Sequence, residues 1–405
     1  MPKSQLSRSA LMLLIALSLT ACETLPEREA PPPSCPVATP CPACPVCPSI
    51  APPVEAAAKP LQTASWEDLP GWREDNPAEA WEAFLQSCRG LNSKERAGWQ
   101  RVCDLARSID GKNSAAVRRF LEAELTPFAL TAADGSQEGL ITGYYEPLLR
   151  GSRQPGKRYS VPVLGVPDDL ITVDLAEVVP ELKHLRLRGR LQGNRLLPYY
   201  SRAEIEARSA PQKTLLWVDD AIELFFLQIQ GSGRVRLPDG SLVRLGYADQ
   251  NGHPYRSIGR ALIERGELKP HEASMQGIQA WARSHPEQLR ELLDLNPSYV
   301  FFRELPAGND GPLGSLGVPL TAGRSLAVDP RFVPLGAPVF LATTRPGSQT
   351  PLRRLMLAQD TGGAIKGAIR ADYFWGFGPQ AGEQAGRMKQ TGRLWVLLPA
   401  ELAPK

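Results

Sequence analysis

Leu355-Met356-Leu357-Ala358-Gln359-Asp360-Thr361-Gly362-Gly363-Ala364-Ile365-Lys366-Gly367 is the most informative stretch of the chain. An apolar run of strand character delivers an aspartate straight into a Gly-Gly turn. A second aspartate, Asp372, lies twelve residues on. A carboxyl at the end of a buried strand is partly desolvated, which raises its pKa. It then stays protonated near neutrality, as a general acid must. Gly362 and Gly363 carry no side chains, so a bulky substrate can reach the backbone beside Asp360. The same residues also make a well-capped turn, and the pattern alone leaves both readings open. Asp372 likewise reads as a supporting acid or as a structural turn residue.

Working outward, the last hundred residues continue in strands, at Val339–Leu341 and Leu394–Leu398, with glycine-rich connections. Ile141 to Glu146 reads as a strand stopped by Pro147. Further strands are expected at Leu215–Val218, Ile222–Gln230 and Val235–Leu237. The Pro238-Asp239-Gly240 turn then leads into Leu242–Leu245, which makes a hairpin. Helical periodicity occupies the region from about Ser65 to Leu125, with apolar stripes at Trp81, Phe84, Leu85 and Cys88, at Trp99, Val102, Cys103 and Ala106, and at Val117, Phe120 and Leu121. It returns around Ile258–Ile263 and Met275–Leu293. The fold class is therefore mainly β and barrel-rich with N-terminal helices, and composition does not say which barrel. Cys88 and Cys103 sit on the apolar faces of two neighbouring helices, and a disulfide between them is expected to stabilise by roughly 3 kcal/mol; two buried free thiols are the alternative.

The amino end reads as an address. Lys3 and Arg8 precede an apolar run from Leu11 to Leu19, and Leu19-Thr20-Ala21-Cys22 follows. That is a secretory signal, and the Cys after Leu-Thr-Ala is similar to a bacterial lipobox. The expectation is a signal peptide over 1–21 and lipid on Cys22. By likeness to other lipoproteins, Glu23 favours the outer membrane, facing the periplasm. Residues 22–64 form a linker: twelve prolines fall between Pro26 and Pro60, with Cys35, Cys41, Cys44 and Cys47 among them. Proline at that density favours extended chain over a packed core. Cys41-x-x-Cys44-x-x-Cys47 has metal-like spacing but no surrounding mini-core, so exposed thiols or disulfides are expected there.

The 405 residues are 42% hydrophobic and 22% charged, with 46 Lys+Arg against 43 Asp+Glu. The net charge of +3 comes with no basic tract, which argues against a nucleic-acid partner. Four histidines without ligand spacing argue against a metal cluster. No nucleophile elbow, phosphate-binding loop, zinc-protease motif or dinucleotide fingerprint is present, so no cofactor is expected and the chemistry falls to carboxylates.

Several separated blocks carry a resemblance. They are Thr142-Gly-Tyr-Tyr-Glu-Pro147; Gln228-Ile-Gln-Gly-Ser-Gly-Arg234; Gly246-Tyr-Ala-Asp-Gln-Asn-Gly252; Asn296-Pro-Ser-Tyr-Val-Phe-Phe302; Thr321-Ala-Gly-Arg-Ser-Leu-Ala-Val-Asp329 with Pro334-Leu-Gly336; and Asp360 to Gly367. In this order, across roughly residues 70–400, the chain resembles the membrane-bound lytic murein transglycosylase A family, glycoside hydrolase family 102. The last two blocks are similar to its 3D domain, with Asp329, Asp360 and Asp372 as the matching aspartates. The resemblance implies a double-psi β-barrel domain built from 65–146 and 296–400, an inserted β-domain at 147–295, and a groove between them. It also implies non-hydrolytic cleavage of the β-1,4 bond between N-acetylmuramic acid and N-acetylglucosamine. Asp360 would act as acid and then base while the muramic C6 hydroxyl attacks its own C1.

On that reading Thr142, Tyr145 and Glu146 line the groove or simply form a barrel-rim strand. Gln230, Gly231, Ser232 and Gly233 admit glycan from the insert side or make a tight turn. Gly362, Gly363 and Asp372 complete the substrate-binding set. Arg324 and Lys366 would stabilise acidic partners such as Asp360 or Asp329. A lysine against Asp360 would lower its pKa, so Lys366 is expected to point elsewhere. The partners implied are peptidoglycan strands and, through Cys22, outer-membrane lipid, for a protein acting as a monomer. Two other readings compete. One is a non-catalytic peptidoglycan-binding lipoprotein. The other is an aspartic protease, which needs two such carboxylates and would have to pair two chains, because Asp-Thr-Gly occurs once.

Overall fold

A computed structural model describes residues 60–404, apart from 93–95, 176, 180, 181, 183–186, 209–212 and 309. The expectations for the signal peptide, Cys22 and the Pro/Cys-rich linker up to residue 59 lie outside the described residues. Among those described, no helix is long and apolar enough to cross a membrane.

The chain enters through β1 (Leu61–Thr63), three helices α1 (Trp81–Gly90), α2 (Gln100–Ala106) and α3 (Ser114–Glu124), and β2 (Thr126–Leu130). The apolar stripes face inward, with Trp81, Phe84, Val102 and Leu121 all buried. Asn113 caps α3 by accepting from the Ala116 N–H at 3.1 Å. Cys88 on α1 and Cys103 on α2 are joined by a disulfide, their Cα atoms 5.7 Å apart.

The chain continues through β3 (Gly139–Glu146), β4 (Leu148–Ser152), β5 (Val161–Leu164), β6 (Ile171–Thr172), β7 (Arg188–Gln192), β8 (Arg195–Pro198), α4 (Arg202–Ala207) and β9 (Thr214–Val218). Then come α5 (Ala221–Gln230), β10 (Ser232–Arg236), β11 (Leu242–Gln250), α6 (Ile258–Glu264), α7 (Met275–Ser284), α8 (Leu289–Asp294) and β12 (Val300–Leu305). The last part holds β13 (Ser325–Val328), β14 (Pro338–Thr344), β15 (Pro351–Asp360), β16 (Ala371–Phe377), α9 (Pro379–Arg387) and β17 (Lys389–Leu398).

Six strands close into a ring in the order β17-β14-β15-β13-β16-β3, with β3 pairing back onto β17; β2 and β1 extend it from β17. The pair β13–β15 and the pair β16–β3 are parallel, the others in the ring antiparallel. Leu355 to Gln359 are all buried, a continuous rather than alternating run, because both faces of β15 are covered. The N-terminal helices cover one of them: the Gln359 amide donates to Ala83 O at 2.8 Å and Ser87 Oγ at 3.0 Å on α1.

A second sheet, in the order β12-β11-β10-β4-β9-β5, holds the β10–β11 hairpin, and β6-β7-β8 form a small third sheet. Two corrections fall here. Ile222–Gln230 is a helix, not a strand. Its ends are marked by Asp220, whose carboxylate accepts from the Ile222 and Glu223 N–H groups, and by Gly231 at φ 79°. It reads as a strand because a run of apolar residues is interrupted only by Glu223, Gln228 and Gln230. Leu224 and Leu227 pack on the sheet, while Ile222, Phe225 and Phe226 pack against α6, α7 and α8, so apolar packing on two sides leaves too narrow a polar face to reveal the period. The helical periodicity expected around Ile258–Ile263 and Met275–Leu293 is present as α6, α7 and α8, with Pro286 in the break between the last two. Finally, Arg324 serves different acids from those expected. Its buried guanidinium grips both Asp75 oxygens at 3.0 Å and Glu79 at 2.8 Å, tying the segment before α1 to the ring.

Candidate active site

Asp360 ends β15, where the strand gives way to the glycine turn. Its Oδ1 accepts three hydrogen bonds at 2.9 Å, from the Ser315 N–H, the Ser315 hydroxyl and the Thr361 N–H. Its Oδ2 accepts one, from the Tyr144 hydroxyl at 3.1 Å. Burial pushes the Asp360 carboxyl above the usual carboxylate range, against the downward pull of these four donors. Burial, together with the Asp360 and Asp372 charges, also holds the Tyr144 hydroxyl well above its ordinary pKa, so it remains a donor. No ion pair joins Lys366 to Asp360 among the described residues, and Lys366 is exposed.

Ser315 belongs to the connection between β12 and β13, which is locked to the end of β15. Leu316 N–H donates to Gln359 O at 3.0 Å. A side chain at Gly314 would meet that same carbonyl at 2.4 Å, so only glycine allows the approach. Ser315 and Tyr144 were not singled out from the sequence. For Tyr144 a signal existed, since Thr142 and Tyr144 are two apart on one strand and share a face, whereas Tyr145 faces the other way.

The register places Asp360, Ala327, Asp372 and Thr142 level across four neighbouring strands. Thr142 Oγ1 donates to Asp372 Oδ1 at 2.7 Å. Burial raises Asp372 to about 6, opposed by Thr142 and Arg370 and reinforced by the Asp360 charge. Asp372 thus sits within β16 rather than in a turn. Asp329 is different again: although burial opposes it, hydrogen bonds from Arg331 and the Gly367 N–H hold it down at about 2. Its Oδ2 accepts from Gly367 N–H at 2.8 Å, fastening the far end of the glycine turn.

A cavity of about 750 Å³ opens over Asp360, walled by the turn carrying Gly362 and Gly363 on one side and by Gln230, Gly231 and Ser232 on the other. The ring and the second sheet system thus contribute opposite walls. A side chain at Gly363 would project into open space, while one at Gly362 would meet Ile365 at 2.6 Å. Gly363 therefore keeps the approach clear and Gly362 permits the turn. Half-exposed Tyr255 and Tyr247 also line the cavity. Other expected groove residues lie elsewhere. Glu146 is fully buried, its Oε2 accepting from Arg234 Nε at 2.9 Å. Gly233 packs so closely that a side chain there would meet Leu227 at 2.3 Å. Tyr145 lines a separate cavity, and Thr142 and Asp372 pair with each other below the wall.

The fold and the site define a β-rich cleft protein with one desolvated acid at the base of the cleft. Residues 140–303 match the model of the MltA specific insert domain, and residues 324–398 match the 3D domain. The chain is 35% identical over 289 residues to the membrane-bound lytic murein transglycosylase A of Escherichia coli strain K12, covering 69% of this chain and 71% of that protein. The crystal structure of MltA from Neisseria gonorrhoeae superposes with a TM-score of 0.75 at 42% identity, covering 85% of this chain and 94% of that one. The Escherichia coli MltA structure with bound chitohexaose gives a TM-score of 0.62 at 29% identity, over 80% and 90% of the two chains. The chain belongs to the membrane-bound lytic murein transglycosylase A family.

Proposed function

We propose that this protein cleaves the β-1,4 bond between N-acetylmuramic acid and N-acetylglucosamine in peptidoglycan and leaves a 1,6-anhydro end, with Asp360 as its one catalytic carboxyl. The observation that carries the reading is the asymmetry of Asp360. Oδ1 is saturated by three donors, so the acidic proton resides on Oδ2, whose remaining lone pair accepts from the Tyr144 hydroxyl. That proton passes to the glycosidic oxygen as the bond breaks. The carboxylate left behind is stabilised by the same four donors, which bond more strongly to the charged form. It then takes the proton of the muramic C6 hydroxyl as that oxygen closes on C1, which restores the starting acid. An ordinary glycosidase needs a second carboxylate as nucleophile or water-activating base. Here the nucleophile belongs to the sugar, and proximity within one residue replaces capture of water.

Gln230, Gly231, Ser232 and Gly363 serve as polar and close-approach contacts for glycan, with Tyr247 and Tyr255 as faces on which sugar rings rest. Thr142 and Asp372 are positioning residues that set β3, and with it Tyr144, against Asp360. The six-stranded ring is the double-psi β-barrel, assembled from 65–146 and 296–400, with 147–295 as the insert. The protein is held at the periplasmic side of the outer membrane by lipid on Cys22, a reading that the words "membrane-bound" in the relatives' names support. Digestion of purified sacculi followed by mass analysis tests the reaction. Products one water lighter than hydrolytic muropeptides are expected, and new reducing ends would overturn the mechanism. Sacculi that bind the protein but stay intact would favour the non-catalytic alternative.

A further inference from the structure

A second cavity, of about 760 Å³, opens where the β3–β4 crossing meets α7 and α9. It stands behind the groove, and one hydrogen bond spans the partition. Gln230, which lines the groove, accepts through Oε1 from the N–H of Tyr145, which lines the rear cavity. The mechanism above uses none of its other lining residues.

Charge in this cavity is segregated by depth. The Asp219 and Glu223 side chains are 12% and 27% exposed, whereas their partners Arg150 and Arg283 are 68% and 61% exposed. Asp219 and Glu223 thus lie inside and the Arg150 and Arg283 guanidinium groups around the opening, where the exposed Glu383 is already paired with Arg387. Two of these groups keep unused capacity, one carboxylate oxygen of Glu223 and the exposed guanidinium of Arg236. Glu223 Oε1 takes a hydrogen bond from Gln279 at 3.0 Å and pairs with Arg283 at 3.1 Å, but among the described residues its Oε2 takes none. Arg236, on the cavity wall, makes no ion pair or side-chain hydrogen bond among the described residues. Burial, reinforced by the neighbouring Asp220 charge and opposed by Arg283, raises the Glu223 pKa. A ligand that satisfies both groups must bring an ammonium for Glu223 and a carboxylate for Arg236.

We infer that the rear cavity binds a short zwitterionic peptide, the class to which the peptide branches of murein belong. The choice of murein as its source rests on the function proposed above; the charge argument does not. A cavity of this size suits a ligand of a few residues, and its separation from the groove lets peptide and glycan be held at the same time.

The test is calorimetric titration of the intact protein with the free murein tetrapeptide, which carries ammonium and carboxylate groups, beside succinate, which carries carboxylates alone. Saturable binding of the tetrapeptide, none of succinate, and undiminished binding in the presence of saturating chitohexaose are expected. Glu223→Gln and Arg236→Ala should each weaken binding by about tenfold or more, the scale of a lost charged hydrogen bond, while Arg236→Lys retains most of it. Thermal melts of each variant separate loss of the site from loss of the fold. Absence of saturable binding, competition by chitohexaose, or affinities unchanged in both variants would overturn the inference. No turnover enters the titration, so its failure leaves murein cleavage standing.

Discussion

At the scale of single residues, the hydrogen bonds around Asp360 set both the rate and its pH dependence. Asp360→Asn keeps the shape of the side chain and most of the partners but cannot give up a proton, and turnover of sacculi should fall by about 10³-fold, within the range of general acid–base catalysis. The reactive form is protonated, so the rate falls as pH rises through the Asp360 pKa. Because burial places that pKa above the usual carboxylate range, the alkaline limb lies above that of an exposed aspartate. Ser315→Ala and Tyr144→Phe each remove a donor that favours the carboxylate. Either change should move the limb to higher pH and lower kcat by about tenfold to a hundredfold; a pH–rate profile with an unmoved limb would count against the roles assigned to them. Asp372 gives the matching stability experiment. Its folded pKa of about 6 lies above its unfolded value near 3.9. Its contribution is therefore fully present below about pH 4 and lost as pH rises through about 6. Asp372→Asn should raise the melting temperature relative to the parent at pH 7, with the gain shrinking towards pH 4.

At the scale of elements, the disulfide and α5 show what the sequence pattern does and does not carry. Cys88 and Cys103 close a loop of about fifteen residues, and Cys88→Ser should lower stability in chemical denaturation by roughly 3 kcal/mol. Non-reducing mass analysis should find no alkylated thiol at either position in the parent. Those two cysteines are legible because α1 and α2 are amphipathic and their stripes point the sulfurs inward. Helix α5 is not legible by period, since packing on both sides narrows the polar face to Glu223 and Gln230. Its termini are legible all the same, in the Asp220 cap and the left-handed Gly231, and length with caps would have outweighed the apolar run. Tyr144 is a similar case: strand alternation pairs it with Thr142, yet only the register against β16 and the end of β15 shows that its hydroxyl reaches Asp360. Ser315 lies in a connection with no periodic signal, and nothing local points to it. The ring is closed by β3 meeting β17 across some 250 residues of chain, a contact that no window of sequence contains.

At the scale of the whole molecule, the insert is joined to the ring by two crossings, and Arg234 and Arg244 hold both. Arg234 pairs with Glu146 at the end of β3 and donates to Asp310 O at 3.2 Å; Arg244 donates to Asp310 O at 2.9 Å and Gly311 O at 2.8 Å. The second crossing then runs directly into Ser315, so the grip that fixes the insert also sets the strap that holds Asp360. Glu146→Gln leaves the Arg234 charge buried without its counter-ion, an uncompensated charge that typically costs about 3–5 kcal/mol. The consequence for catalysis differs in kind from that of Ser315→Ala. Removing Glu146 loosens the placement of one wall against the other without deleting any donor to Asp360. The variant should therefore melt several degrees lower and lose turnover on sacculi, while the alkaline limb of its pH–rate profile stays where the parent's lies. A limb that shifts with Glu146→Gln as it does with Ser315→Ala would mean that the crossing controls the acid itself rather than the alignment of the groove.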